Sequence, residues 1–196
     1  MTQTSAYSVE AFIEDVRQAF SSTKDPRSQA QAIARHLTEL LAVPGWAEEK
    51  LRKQAEAGGG ALDLHVDEKL GHPGPDTTPG FKLMCSLSQG TVPTVNTPHD
   101  HGAGFVVYGV YQGENEHTTW RWTHPEGDHI STQLSPQTTF KLTAGQVAFF
   151  LPGEIHSVRR SVEDRTIILR IESRDLDNLW RHRYDAEASS AMAFKG

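Results

Sequence analysis

The chain has 196 residues, 37% of them hydrophobic, and a formal charge of −6. That acidic balance argues against nucleic acid or an anionic membrane as a partner, and no apolar run reaches the roughly 18 residues of a membrane span. Residues 1–5 lack the basic and apolar regions of a signal peptide, and a single cysteine, Cys85, leaves no internal disulfide, so a cytoplasmic protein is expected.

The first 57 residues read as helical. Val9, Phe12, Ile13, Val16 and Phe20 recur at the spacing of one helix face. Asp25-Pro26 is a helix start, an acid at the cap followed by proline at the first position. Ala30, Ile33, Ala34, Leu37, Leu40 and Leu41 give a second apolar face, which Pro44-Gly45 ends. Trp46 to Ala57 reads as a third, more polar helix.

After Gly58-Gly59-Gly60 the pattern becomes that of short strands, to about residue 175. Phe81, Leu83, Cys85 and Leu87 share one face of a strand, which makes Cys85 a small core residue and not a nucleophile. Further strands are expected at Phe105 to Tyr111, Thr118 to Thr123, Gln146 to Leu151 and Thr166 to Ile171. Residues 71–76 read as a loop, and residues 176–196 as an extension whose last part, from Ala186, frays. Gly 16 and Pro 10 suit a turn-rich β fold, a sandwich or barrel. Three short helices make a thin core alone, so they are expected to pack outside the barrel as part of one domain.

The strongest chemical signal is Pro98-His99-Asp100-His101-Gly102. In an extended strand, residues two apart face the same way, so His99 and His101 can offer two imidazoles to one point. Imidazole suits Zn, Cu, Fe and Ni. A third candidate follows Gly145, where a strand ends in Leu151-Pro152-Gly153-Glu154-Ile155-His156. The Pro-Gly turn can bring His156 back into the barrel. Asp100 alternates away from this point and reads as a turn or barrel-wall residue.

These two segments resemble the paired motifs of the cupin superfamily: HxH with a following glycine (here His99, His101 and Gly113), then a glycine, a Pro/Gly turn and a histidine (here Gly145, Pro152, Gly153 and His156). The resemblance implies a mainly β fold, the double-stranded β-helix or jelly-roll barrel, with a divalent metal on His99, His101 and His156. Where most cupins carry a ligand glutamate this chain has Phe105 or Val106, so the site is expected to be three neutral imidazoles. From about Phe81 to Ser173 the chain is more specifically similar to the cysteine dioxygenase-like thiol dioxygenases. That similarity implies Fe(II), with Ni, Mn, Zn or Cu as other divalent candidates, and a small thiol oxidised by O2 to its sulfinate. The family's alternating Ser, His and Tyr on a late strand fall at Ile168, Arg170 and Glu172.

Read from the residues alone, Ile167, Leu169 and Ile171 form one face of that strand, and Ile168, Arg170 and Glu172 the other. Arg170 and Glu172 either project into the pocket, with Arg170 clamping a substrate carboxylate, or form a solvent-facing pair. Tyr108 shares a face with Val106 and Val110 and supplies either a pocket hydroxyl or a rim tyrosine. Trp120 and Trp122 read as barrel packing, and His65, His72, His124, His129 and His182 as polar surface residues. Three functions compete: a metal dioxygenase acting on a small anionic substrate, with Arg170 holding a carboxylate and Tyr108 steering a proton; a metal-dependent lyase or isomerase of a small carboxylate, with Tyr108 or Glu172 as the base; and a non-catalytic small-ligand binder. The expected partners are a small-molecule substrate and O2, and the chain a monomer or homodimer.

Overall fold

Helix α1 (Val9–Ser22) starts at Ser8, whose Oγ accepts the Ala11 amide, and buries Val9, Phe12, Val16, Ala19 and Phe20. Helix α2 (Pro26–Leu41) is capped by Asp25, which accepts the Ser28 amide at 2.8 Å. The expected third helix is broken at Leu51 into α3 (Trp46–Lys50) and α4 (Arg52–Glu56), because Leu51 is fully buried and leaves the helical backbone region. The computed structural model describes residues 7–67, 80–89, 94–124, 132–160 and 165–195. The expected loop at 71–76, His72 and His129 lie outside them.

Two antiparallel sheets face one another. The first contains β1 (Gly59–Val66), β2 (Lys82–Ser88), β9 (Thr166–Glu172), β4 (Val106–Gln112) and β7 (Val147–Phe150), in that spatial order. The second contains β3 (Thr94–Val95), β8 (Ile155–Arg160), β5 (Glu114–Thr123) and β6 (Gln133–Thr143). β1–β2 and β5–β6 pair within one sheet, whereas from β2 to β5 and from β6 to β9 successive strands alternate between the sheets by crossing connections; this strand order is that of a jelly roll.

The first sheet is covered on both faces. Leu83, Cys85, Leu87, Val107, Ile167, Leu169 and Ile171 share one core with α1 and α2. On the other face Val106, Tyr108, Phe150 and Ile168 pack inside the barrel. Burial of both faces explains why β4 and β9 read as nearly continuous apolar runs rather than alternating ones. The helices therefore lie on the outside of the barrel, in close contact with it. A methyl group at Gly109 would meet Leu37 Cδ2 at 2.8 Å and Leu41 Cδ1 at 2.9 Å, so only glycine lets α2 approach β4 this closely.

The C-terminal residues are not frayed. Trp180–Asp185 (β10) and Ser190–Lys195 (β11) pair as an antiparallel hairpin. It is held by contacts that a weak local pattern does not show. Asp100 accepts from the His182 amide at 3.2 Å, His182 Nδ1 at 3.0 Å and the Tyr184 hydroxyl at 2.5 Å, and the Tyr184 amide donates to Pro98 O at 2.8 Å. Gly102, at φ +57°, has its missing Cβ 2.2 Å from Trp180 O, so the hairpin lies directly on the backbone after the HxH segment.

Candidate metal centre

His99 and His156 exchange both backbone hydrogen bonds, at 2.9 and 3.0 Å, on one side of the HxH segment. On its other side His99 bridges Arg183 of the hairpin. The segment is thus held between β8 and β10. This fixes His99 and His101 against His156, and one potential ligand atom from each lies within 4.8 Å of the others. Among the described residues this is the group of ligand-type side chains that can share one ion, and it contains no carboxylate.

The donor chemistry fits a cation. His99 Nδ1 lies 2.9 Å from Thr97 O. A carbonyl only accepts, so Nδ1 carries the proton and Nε2 keeps its lone pair. His101 Nε2 and His156 Nε2 lie 3.0 Å apart, so two lone pairs point into one small space unless one ring donates to the other. Burial, above all, lowers the pKa of all three rings; the positive charge of Arg170 adds to this at His101. Neutral imidazoles are the form that binds metals. His101 and His156 are fully buried, whereas His99 is half-buried and is the open side of the trio. Their Nδ1 atoms have no partner among the described residues, so packing holds these two rings where Thr97 holds the third. The Phe150 ring lies 3.7 Å from that of His156, centroid to centroid.

Arg170 and Glu172 face the barrel interior, as the alternation of β9 requires, and pair at 2.9 Å. Glu172 is 4% exposed, and burial raises its pKa although Arg170 opposes the shift. Tyr108 is on the same interior face: its ring lies 5.7 Å from that of His156, and the Arg170 guanidinium 5.7 Å from the Tyr108 ring. Burial also raises the tyrosine pKa, so the hydroxyl stays protonated. Cys85 is buried, with its thiol pushed up to about 12 mainly by burial, and lies on the helix side of the sheet, away from the histidines.

A cavity of 400 Å³ leads to His99. Val95, Asn96, Thr97, Arg170, Arg181, Arg183 and Phe194 line it with His99. Arg181 and Arg183 come from the hairpin read above as an extension.

One neighbour, His117, escaped the sequence reading. His117, on the interior face of β5, is fully buried; its ring lies parallel to that of His156, 11° apart at 5.7 Å, and stacks on Phe140 and Phe150. Neither of its nitrogens has a partner among the described residues, and burial lowers its pKa to about 4. Its place in Asn115-Glu116-His117, alternating buried and half-buried, was the available signal; the strand begins at Glu114, earlier than the expected Thr118. His182 is bonded to Asp100 rather than free on the surface, and Asp100 anchors the hairpin. His65 is half-buried and its ring lies 5.0 Å from that of Phe81, while His124 is exposed. Trp122 packs beside Tyr184, and Trp120 Nε1 donates to Ser157 Oγ at 2.9 Å, as packing roles require.

No family model matches the chain, and no curated protein matches it. Solved structures do match. One is a Cupin_2 domain of an XRE family transcriptional regulator from Enterobacter cloacae, 16% identical over 59% of this chain and 95% of that one, with a TM-score of 0.37. Another is KdgF from Halomonas sp., 16% identical over 61% and 82%, TM-score 0.39. A third is an oxalate oxidase in complex with glycolate, 17% identical over 68% and 54%, TM-score 0.39. Identity this low transfers no residue role to this chain. The order of its own strands, with α1 and α2 packed on the outer face, makes the fold a jelly-roll barrel, a double-stranded β-helix.

Proposed function

We propose that the chain is a three-histidine cupin metalloenzyme that uses O2 to oxidise a small anionic substrate, a thiol R–SH becoming its sulfinic acid R–SO2H. One observation carries the reading: three neutral imidazoles converge with no carboxylate in the group, and one of them, His99, lines a cavity walled by arginines. The resemblance of the HDH segment points to Fe(II). Bound there, the ion supplies uncompensated positive charge for a thiolate and open positions beside it.

The chain's own residues do the rest. His99 faces the cavity and sets the side from which a substrate arrives. Arg170, on the cavity wall, grips a substrate carboxylate, and Glu172 fixes the guanidinium from behind at 2.9 Å. Tyr108 offers a protonated hydroxyl to steer a proton. Val106, Phe150 and Ile168 keep the interior apolar and exclude water.

The test is metal analysis of the purified protein, followed by an oxygen-electrode screen of small thiols that includes cysteine and 3-mercaptopropionate. The reading expects bound iron and thiol-dependent oxygen uptake. Buried Glu172, with its raised pKa, favours a second reading, a metal-dependent lyase or isomerase in which this carboxyl moves a proton. That enzyme turns over without oxygen and keeps its activity with Mn, Ni or Zn.

A further inference from the structure

A second cavity, of 790 Å³, shares no lining residue with the one at His99. Phe150 is at its floor, 3% exposed, with its ring 3.7 Å from that of His156. Phe140 lines it too, stacked on His117 with the ring planes 14° apart. Strand β5 supplies a wall. Asn115, His117, Thr119 and Arg121 alternate onto its interior face, and along that series burial gives way to exposure. Thr119 is the cross-strand partner of His156. The ladder between β5 and β8 ends at Trp120 and Ile155, so one residue further along Arg121 stands opposite Glu154. Both are exposed, and both line the cavity. The cavity therefore has an aromatic floor against His117 and His156, and a rim that carries one positive and one negative charge.

Each part has a chemical consequence. Aromatic rings attract other rings through offset and edge-on contacts, beyond the effect of apolar burial. Phe140 and Phe150 are already braced by the two histidines, so little side-chain freedom is lost when a ring arrives. Glu154 Oε2 accepts the Leu151 amide at 2.8 Å, which fixes its carboxylate over the turn. Arg121 offers a planar fork that matches a carboxylate. The volume falls in the range of about 300–1,000 Å³ typical of small-molecule sites, and an apolar floor with a few polar groups is their common build. A rim of one sign selects an anion or a cation. A rim with both signs side by side selects a molecule that carries both.

We propose that this cavity binds a small aromatic zwitterion, with its ring against Phe140 and Phe150, its carboxylate at Arg121 and its ammonium at Glu154. The site goes beyond the metalloenzyme reading and needs no metal. Because Phe150 is its floor, an occupant rests one ring away from His156.

The test measures binding to the full-length protein, treated with a chelator so that metal plays no part. The probes are L-phenylalanine, phenylacetate, phenethylamine and L-cyclohexylalanine, read by calorimetry at low ionic strength, where exposed charges are least screened. L-phenylalanine is expected to bind at least tenfold more tightly than each of the other three. R121Q should reduce it to the affinity of phenethylamine. E154Q, whose amide oxygen still accepts the Leu151 amide, should reduce it to that of phenylacetate. F140L, which stays apolar but loses the ring, should weaken it about tenfold. Arg121 and Glu154 are exposed, so their substitution leaves the fold intact, which circular dichroism checks. No binding by any probe overturns the site, and so does unchanged affinity in R121Q, E154Q and F140L. Equal affinity for phenylalanine and cyclohexylalanine overturns the aromatic occupant, and equal affinity for phenylalanine and phenylacetate the zwitterion. A dimer that R121Q or E154Q dissociates, in a protein that binds none of the probes, assigns this face to a second copy of the chain instead. All of these readouts are taken without metal, so their failure leaves the histidine trio untouched, and a protein that takes up no iron leaves the aromatic site standing.

Discussion

His101 Nε2 lies 3.0 Å from His156 Nε2, and both residues are fully buried. A divalent ion bound there would be held by His101 and His156 together with His99. Metal at about 100 times its dissociation constant should stabilise the fold by about 3 kcal/mol. The expected outcome is a rise in melting temperature on adding Fe(II) or Zn(II), reversed by a chelator. H156A should abolish both the shift and the bound metal. A variant that keeps its full metal content would remove His156 from the ligand set.

Arg170 and Glu172 form a pair with unequal surroundings, since Glu172 is buried while the guanidinium reaches the cavity. R170Q should raise the KM for an anionic substrate about tenfold or more and leave metal content unchanged. Steady-state kinetics with and without the substrate carboxylate separate the effects. If R170Q lowers activity equally on both substrates, the arginine is not a carboxylate clamp.

Asp100 joins the HxH segment to the hairpin. Burial, the largest single influence, raises its pKa, but the donors Tyr184, Gly102 and His182 together outweigh it and keep the carboxylate ionised. Removing one donor in Y184F should cost about 1–2 kcal/mol, and D100A, which strands several donors, about 2–4 kcal/mol. Both should weaken metal binding about tenfold through misplacement of His99 and His101. Urea titration and metal titration measure the two effects. Full metal affinity in D100A would show that the hairpin does not position the ligands.

His117 gives the metal-free protein an acid-sensitive component. Its pKa falls to about 4 on folding, from an ordinary value of about 6.5 in the unfolded chain. The unfolded state therefore takes up the proton first. The stability carried by the neutral ring is present above pH 6.5 and is lost as pH falls towards 4, by about 3 kcal/mol. H117F should flatten the pH dependence of the urea midpoint between pH 6.5 and 4 by about one proton. An unchanged slope would mean that another group titrates there.

Much of the barrel and all three converging histidines were legible from the sequence, because each rests on a local signal. The stripe of α1, the Asp25-Pro26 cap, the apolar runs of β4 and β9, HxH and Pro-Gly-x-x-His all state their geometry within a few residues. Alternation put Arg170 and Glu172 on one face of β9 but left open whether that face is interior or solvent-facing, because the choice depends on α1 and α2 covering the opposite face. What was missed depends on distant partners. β10 and β11 carry no strong strand pattern, and their order comes from Asp100, more than 80 residues earlier in the chain. His117 was overlooked because a histidine between Glu116 and Thr118 looks solvent-facing until Phe140 and Phe150 are placed against it.

The position of His99 between His156 and Arg183 also sets a schedule for the nascent protein. The first two imidazoles leave the ribosome well before the third, and the clamp on their backbone emerges later still. During synthesis the half-built trio has neither its last histidine nor its outer brace, so metal capture by it would belong to the final stage of folding. A chain truncated after residue 160 carries all three histidines yet lacks β9, the hairpin and its arginines, and should release metal that the finished chain retains.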